Sequence, residues 1–303
     1  MKAPATLDEF YRTFSSEQRC WEALRRLRWP DGFRCPRCEG RKAHRLRSRG
    51  LWQCAGCRYQ ASLTAGTPFH GTRVPLRTWF LAMFFVARHK KGISALQFQR
   101  DAGLGSYKTA WMLLHKVRSA LGHPLRIALE GAVEVDETYI GGYRPVRNGR
   151  GAGKTGVAVA VERRGKTAGS LRLTTIPRAT TEVLTSFVQR SIRPERTTVF
   201  TDAWGSYHAL GKLGIDHRPH KSGHGRQTLD ALPWAHTVFG NLKTWLLGTF
   251  HGVSPKHLQR YLDEFSYRFD RRWQEGELLA LVLNSVVRGQ PIPYRVLVAE
   301  GTA

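Results

Sequence analysis

Four of the five cysteines form two close pairs, a pattern typical of metal sites. Cys35 and Cys38 make one C-x-x-C turn and Cys54 and Cys57 make another, with 15 residues between them. Tetrahedral zinc needs four thiolates that converge on one point, and two such turns provide them. In a reducing compartment this favours a structural zinc ion over the alternative, a redox pair. Cys20, within an apolar helical pattern, is expected to be a small buried residue.

The segment around these pairs predicts a zinc ribbon. Short apolar stretches near residues 45, 51 and 59 fit strands between and after the turns. A module below about 40 residues is too small for a sufficient core, and metal binding substitutes for it. Basic side chains are dense here and favour phosphate contacts over a merely solvated face: Arg34, Arg37, Arg41, Lys42, Arg45, Arg47, Arg49 and Arg58.

Two aspartates stand at the ends of predicted strands further along the chain. Asp136 ends the apolar stretch 132–136, and Asp202 ends the stretch 197–202. Alone, each residue is more often a strand-end cap or a turn former. Two carboxylates that meet at neighbouring strand ends can instead bridge Mg²⁺ ions, whose shells substrate phosphates complete. On a basic chain with a zinc ribbon, the metal interpretation is favoured.

The elements that must position these aspartates predict an α/β fold. Strands are expected at 132–136, 156–161 and 171–176, a helix at 181–192 and a fourth strand at 197–202. Three strands, a helix and a strand suggest a mixed sheet of the ribonuclease H type, in which acids at adjacent strand ends can meet.

Between the ribbon and this sheet, the sequence predicts three helices. The first spans 76–90, the second 93–101, and after a glycine-containing turn Ser106 can cap a third that reaches residue 121. This arrangement predicts a helix-turn-helix that lays the start of its third helix in a DNA major groove, with an ordinary helical linker as the alternative. The predicted DNA contacts are Ser106, Tyr107, Lys108 and Lys116.

A glycine-rich segment at 149–155 is similar to a nucleotide-binding phosphate loop but departs from it. Asn148 replaces the first glycine, and the stretch from Gly156 reads as a strand where that loop requires a helix. We therefore exclude nucleotide hydrolysis and expect a basic hairpin in which Arg150 and Lys154 contact DNA.

Charge and hydropathy bound the class of protein. The net charge is +25 over 303 residues, and residues 1–125 hold 23 basic against 7 acidic residues, which favours a polyanionic partner. No apolar run is long enough for a membrane span, and the first ten residues lack a signal-peptide pattern, so a cytoplasmic, nucleoid-associated protein is expected.

Several motifs together resemble a family of insertion-sequence transposases, the one numbered fifteen ninety-five and called ISXO-two-like. The likeness runs from about residue 8 to about 275. It rests on R-W-P-D-G-F-R-C-P-R-C at 28–38, K-G-I-S-A-L at 91–96, V-E-V-D-E-T-Y-I-G-G at 133–142, T-D-A-W-G-S-Y at 201–207 and G-T-F-H-G-V-S-P-K-H-L at 248–258. The resemblance implies a DDE-type transposase with two Mg²⁺ or Mn²⁺ ions and terminal inverted repeats as substrate.

The third active-site position departs from the acidic pattern of that family. Members carry glutamate or asparagine seven residues before a lysine on the helix after the second aspartate; here Lys243 stands seven residues after His236, which resembles a histidine-bearing subgroup. Seven residues are about two helical turns, so both side chains share a face. His236 could bind metal, orient water or cap the helix, and Lys243 would hold a phosphate. Glu264, otherwise a solvated helix residue, is the reserve carboxylate.

The resulting prediction is a transposase that cuts element ends and joins them to target DNA, acting as at least a dimer on paired ends. A catalytically inactive DNA-binding regulator and a structure-selective nuclease are the alternatives. The expected domains are an N-terminal helix and zinc ribbon at 1–68, the helix-turn-helix-like segment at 69–125, the catalytic domain at 126–275 and a C-terminal tail at 276–303, whose last stretch carries no recognisable motif.

Overall fold

The computed structural model describes residues 3–122, 128–141, 153–220 and 231–299, which form two compact units. The first contains residues 3–122 together with 273–299, and the second contains the described residues from 128 to 272. The core of the first unit is built from helices and the second unit is built on a mixed sheet, which confirms the predicted α/β class.

The first unit opens with two helices and a small sheet. Helices α1 (Leu7–Thr13) and α2 (Glu17–Arg28) are each capped at the N-terminus, by Thr6 and Ser16 respectively. Strands β1 (Ala43–Leu46), β2 (Leu51–Cys54) and β3 (Gln60–Ser62) form an antiparallel sheet in chain order. The zinc-ribbon topology predicted from the cysteine spacing is thus present.

Three helices follow, close to the predicted bounds. These are α3 (Leu76–Arg88), α4 (Ala95–Asp101) and α5 (Tyr107–Leu121). Helix α3 is buried almost all round, because its apolar residues occupy ten of thirteen positions in the unit's core. The glycine-rich segment at 149–155 is not followed by the helix that a nucleotide-binding phosphate loop requires, since Thr155–Arg164 is a strand as predicted.

The C-terminal segment, for which the sequence offered no motif, returns to this unit as two helices. They correspond to Leu278–Arg288 and Tyr294–Ala299, numbered α10 and α11 below. Helix α10 packs against α2, α3 and α5 through an apolar face that includes Leu279, Val282 and Val286. The unit's core is therefore built from both ends of the chain.

The second unit is organised on a five-stranded mixed sheet. Its strands are β4 (Leu129–Ile140), β5 (Thr155–Arg164), β6 (Thr167–Ile176), β7 (Ile192–Asp202) and β8 (Asp216–His220), in the spatial order β6-β5-β4-β7-β8. The first three are antiparallel, whereas β7 and β8 run parallel to β4. This is the ribonuclease H-like arrangement predicted from the alternating elements.

Helices cover both faces of this sheet. Helix α6 (Thr181–Ser191), followed after β7 by the short helix α7 (Ala209–Lys212), packs on the face that carries Val133, Val135 and Val199. Helices α8 (Pro233–Phe250) and α9 (Pro255–Asp270) pack on the opposite face with Val157, Val159 and Val161. Because side chains alternate along a strand, residues 134 and 136 of β4 face α8.

In the described ranges, no helix combines the length and the apolar character that crossing a bilayer requires.

Candidate functional site

The four paired cysteines converge as the ribbon topology requires. The Sγ atoms of Cys35, Cys38, Cys54 and Cys57 all lie within 4.8 Å of one another. Cys35 Sγ is 3.6 Å from Cys57 Sγ, and Cys38 Sγ is 3.6 Å from Cys54 Sγ. Tetrahedral zinc with bonds of about 2.3 Å sets its sulfurs roughly 3.8 Å apart, so the donor set fits a structural zinc ion.

At Cys54, local backbone amides favour the thiolate form that a metal requires. The N–H groups of Cys57 and Gly56 lower the pKa of Cys54 to about 7, against an opposing effect of burial. The remaining cysteine does not belong to this cluster. Cys20 is fully buried in α2, and burial raises the pKa of its thiol to about 12, which confirms its predicted place in the core.

A cationic cleft lies between α2 and the ribbon within the first unit. It measures about 740 Å³, and four arginines and two tryptophans are among its lining residues: Trp21, Arg25, Arg26, Arg45, Arg47 and Trp52. The Arg25 guanidinium lies 5.9 Å from the centre of the Trp52 ring. The two glutamates of the cleft are engaged elsewhere, because Glu17 accepts the N–H groups of Leu76 and Arg77, and Glu22 accepts from Gln18.

The two predicted aspartates lie on one face of neighbouring parallel strands. The β4–β7 register pairs Glu134 with Phe200, and Asp136 and Asp202 each stand two residues further along. Phe200 packs against the core on the α8 side, so the alternation of side chains places both carboxylates on that face. Asp136 is buried and Asp202 half-buried. The structure thus brings the two aspartates to the same end of the sheet.

A buried tyrosine, Tyr207, lies near these carboxylates. The Tyr207 hydroxyl donates to Glu137 Oε2 over 2.8 Å. Its pKa is raised well above the ordinary value by burial first, then by the charges of Glu137, Asp136 and Asp202. Asp136, within β4, and Asp202, at the end of β7, therefore both raise the pKa of this one phenol.

His236 lies on the first turn of α8, which is anchored to β4. Glu134 Oε2 accepts the backbone N–H groups of Trp234 and Ala235, each over 2.9 Å, and His236 is the next residue. The imidazole is half-buried and lies edge-on to Phe239. Lys243 is exposed on the same helix, two turns on.

Convergence at this site is looser than in the ribbon. Over the part of the chain that the structure describes, the four cysteines are the only set of three or more such donors whose ligand atoms fall within 4.8 Å of one another. Asp136, Asp202 and His236 all lie on the α8 side of the sheet, but their ligand atoms are not gathered within so short a distance of one another. A wide donor set suits two ions about 3.5–4 Å apart whose remaining ligands are water and substrate oxygens.

Helix α5 presents its predicted DNA contacts unequally. Ser106, Tyr107 and Lys108 are exposed at its start, and the Lys108 amine lies 4.1 Å from the centre of the Tyr294 ring. Ser106 holds the N-cap position, but its hydroxyl makes no capping hydrogen bond, unlike what the sequence suggested.

Lys116 requires a correction. It is only 8% exposed, its amine donates to the Pro68 carbonyl over 3.3 Å, and burial lowers its pKa. The long aliphatic stem lets the amine reach a carbonyl oxygen inside the unit. Lys116 therefore serves the fold and is not placed to hold a DNA phosphate.

The remaining predicted positions have different outcomes. Lys154 is exposed just before β5, whereas Arg150 lies outside the described residues. Glu264 is completely buried rather than solvated, with Oε1 3.7 Å from an Arg268 nitrogen. Its helix, α9, packs on β6, two strands away from β4, which separates Glu264 from the aspartates.

Sequence reasoning missed the polar residues that hold the site together. Glu134 lies in a predicted strand, Arg163 two residues after another, and Tyr207 at the end of a motif, but their partners lie 29 to 101 residues away in the sequence. A glutamate between two buried valines of β4 was the available signal, since a charge on an otherwise apolar strand requires a partner.

Two family models match the chain. Residues 128–270 match the ISXO2-like transposase domain, and residues 15–60 match the transposase zinc-ribbon domain. The first match spans β4 to α9, with Asp136, Asp202 and His236, and the second spans the four cysteines.

A relative from Halobacterium salinarum is described as an uncharacterized protein in the transposable element ISH50. It is 36% identical over 132 residues, which cover 43% of this chain and 44% of the relative. The chain thus spans less than half the length of this curated relative. With both the zinc ribbon and the ribonuclease H-like core matched in the order that the sequence predicted, the chain belongs to the ISXO2-like family of insertion-sequence transposases.

Proposed function

We propose that this protein cuts DNA at the terminal inverted repeats of an insertion sequence and joins the 3′ ends to target DNA. Asp136, Asp202 and His236 are the proposed ligands of two Mg²⁺ or Mn²⁺ ions, and Lys243 holds a DNA phosphate. The observation that carries the proposal is the placement of both aspartates on the α8 face of adjacent parallel strands, beside the anchored first turn of α8.

The donor set suits divalent cations. Asp136 Oδ1 accepts the N–H of Glu137 over 2.8 Å and Asp202 Oδ1 accepts the N–H of Trp204 over 3.2 Å, so a backbone amide orients each carboxylate. When bound, two such cations activate the attacking water and stabilise the leaving 3′ oxygen. The carboxylates fix where the phosphodiester must lie.

The same geometry serves both steps. Hydrolysis at the element end breaks a phosphodiester bond and frees a 3′-hydroxyl. That hydroxyl then takes the position of the water and attacks a target phosphodiester, which releases a target 3′ oxygen. No protein nucleophile is needed, so the protein positions phosphates, as Lys243 does with its exposed amine.

The first unit is proposed to bind the terminal repeats. The arginines of the cleft between α2 and the ribbon have no carboxylate partner among the described residues, and two tryptophans lie beside them. Cations beside aromatic rings are the combination with which proteins hold nucleic acid strands. Lys108, exposed at the start of α5, adds a contact typical of a recognition helix. Pairing two element ends requires at least a dimer.

A histidine at the third position changes the metal preference. A neutral imidazole adds one nitrogen lone pair and no charge, so the three ligands carry two negative charges instead of three. We expect Mn²⁺ to support joining at least as well as Mg²⁺, because imidazole suits the softer ion. A titration in which Mg²⁺ is strictly better would exclude direct coordination by His236.

The same histidine favours the second candidate, a DNA-binding regulator that has lost catalysis. The experiment is to incubate the protein with labelled DNA that carries its gene's own flanks and with a supercoiled target, in Mg²⁺ or Mn²⁺. Asp202→Ala and His236→Ala are compared with Asp216→Ala, a control aspartate exposed on β8 that pairs with Thr198 and Arg218.

We expect joined products from the unmodified protein and from Asp216→Ala, and none from the other two variants. Binding without cleavage by the unmodified protein would establish the regulator. Cleavage of branched DNA without joining would identify a structure-selective nuclease instead.

A further inference from the structure

One buried ion pair in the second unit joins the three elements that carry the candidate ligands. Glu134 is completely buried, and its Oε1 accepts from Arg163 Nε over 2.7 Å. A buried carboxylate is retained only where its charge and its lone pairs are satisfied. The partners of Glu134 are therefore informative about what this charge does.

The second oxygen of Glu134 caps helix α8 from another element. Leu232, the residue at the N-cap, provides no side-chain acceptor, and Pro233 stands in the first turn. Glu134 Oε2 instead accepts the N–H groups of Trp234 and Ala235, both over 2.9 Å. These are the amides that a local cap ordinarily satisfies.

Arg163 extends the connection in two directions. Its Nη2 donates to the Ala231 carbonyl over 2.6 Å, just before α8 begins. Its guanidinium lies 4.3 Å from the centre of the Phe200 ring on β7. Phe200 precedes Asp202 by two residues, as Glu134 precedes Asp136, so the pair contacts each ligand-bearing strand one pleat before its aspartate.

We propose that Glu134 is a positioning residue of the metal site: with Arg163 it fixes the first turn of α8, and hence His236, against strands β4 and β7, which carry Asp136 and Asp202. This rests on the proposed function for the identity of the site. It assigns to the glutamate of the E-V-D segment a task distinct from metal binding. Glu134 turns its oxygens towards the helix amides and Arg163.

Glu134→Gln is the informative substitution, with Glu162→Gln as its control. A glutamine keeps the shape but places an NH₂ group among donors, so it can satisfy either Arg163 or the helix amides and not both. Glu162 is also a buried glutamate of the same sheet, and it pairs with Arg164 and accepts the N–H of Ser170 rather than contacting α8.

Two readouts are measured on the full chain with ¹³C-labelled histidine. The first, without added Mn²⁺, is the ring resonance of His236, assigned by its loss in His236→Ala, with the hydrogen-exchange protection of the amides of residues 234–237. The second is the Mn²⁺ concentration that half-broadens that resonance. In Glu134→Gln we expect a shifted resonance, lost protection and Mn²⁺ binding weakened by about 10- to 100-fold. Glu162→Gln should match the unmodified protein.

The proposal is overturned if the His236 resonance and the protection of the first turn are unchanged in Glu134→Gln, or change equally in Glu162→Gln. Should Glu134→Gln not fold, Arg163→Lys is subjected to the same measurements and decides in the same way. If Mn²⁺ never broadens His236 in the unmodified protein, the metal site of the proposed function fails, while the measurement without Mn²⁺ still decides whether Glu134 positions the turn.

Discussion

The zinc ribbon and the carboxylate site assemble their ligands in opposite ways. The ribbon takes its four thiols from two tight turns, and its sulfurs fall within 4.8 Å of one another. The proposed carboxylate site would take one residue from each of β4, β7 and α8, and the Glu134–Arg163 pair contacts all three elements. A closed site with local ligands suits a structural ion, whereas an open site leaves room for substrate.

The largest test of this contrast is to remove one carboxylate. We expect Asp136→Asn to reduce joining about a thousandfold or more, a loss of roughly 4 kcal/mol of transition-state stabilisation, because a neutral amide cannot replace a charged metal ligand. Joined product is quantified on labelled ends. Zinc content should remain that of the unmodified protein, and a parallel loss of zinc would contradict the separation of the two sites.

Removing one thiol should disrupt the other region. In Cys54→Ser we expect zinc loss and unfolding of the ribbon, since metal binding provides about 10–16 kcal/mol in comparable small modules. Zinc is measured by elemental analysis, and DNA binding by the unit should fall with it. Cys20→Ala, which removes a buried thiol outside the cluster, is the control and should retain zinc. Equal zinc loss in both variants would exclude the four-thiol assignment.

A smaller effect distinguishes two lysines of α5. Lys108→Ala should weaken DNA binding several-fold at all sequences and lower the slope of log affinity against log salt by about 1, because an exposed amine neutralises one phosphate. Lys116→Met should leave that slope unchanged, since its amine is bound to the Pro68 carbonyl. Fluorescence anisotropy over a salt series measures both. A reduced slope in Lys116→Met would contradict its structural assignment.

The smallest expected effect is the pH dependence of stability that comes from His217, on the edge strand β8. Burial, and then the charge of nearby His208, lower the pKa of His217, while Asp216 opposes them; its Nε2 lies 2.9 Å from Thr201 Oγ1. A base whose pKa is lower when folded binds more protons when unfolded. The contribution of His217 to the free energy of unfolding is therefore present above its unfolded-state pKa of 6.5 and is lost as the pH falls below that value.

Thermal unfolding between pH 5 and 8 measures this dependence. His217→Gln should flatten the decline of the melting temperature below pH 6.5, and an unaltered profile would exclude His217 as its source. The stability of the ribbon is expected to depend on pH for a different reason, since acid protonates its zinc ligands and releases the metal.

The sequence predicted what short-range spacing determines. The cysteine pairs, the helices α3 to α5 and the strands that carry Asp136 and Asp202 have apolar periods that are visible locally. The expected end of the first of these strands at Asp136 is wrong, because β4 continues four residues further, to Ile140. Strand β8 was missed because its residues, Asp216 to His220, lie at a sheet edge and are mostly exposed, so no alternation marks them. The partners of Glu134 could not be predicted, since they include backbone amides about 100 residues away.

Lys116 and Glu264 show a second limit. Both occur at helical positions where a charged side chain ordinarily meets solvent, and both are buried against polar partners. Helical periodicity identifies the apolar face of a helix, but it does not show which charged residues at its border are drawn inward by a carbonyl or a guanidinium.

Because α10 and α11 complete the core of the first unit, the order of synthesis constrains when that unit can mature. As the chain leaves the ribosome, α3 and α5 emerge about 160 to 190 residues before the helix that covers them, a delay of roughly 10 to 40 s at ordinary elongation rates. Throughout that interval the part of their apolar surface that α10 covers stays open, although α3 already packs against α2 and α5. We therefore expect a nascent chain to contain all of its sheet unit before its first unit is complete.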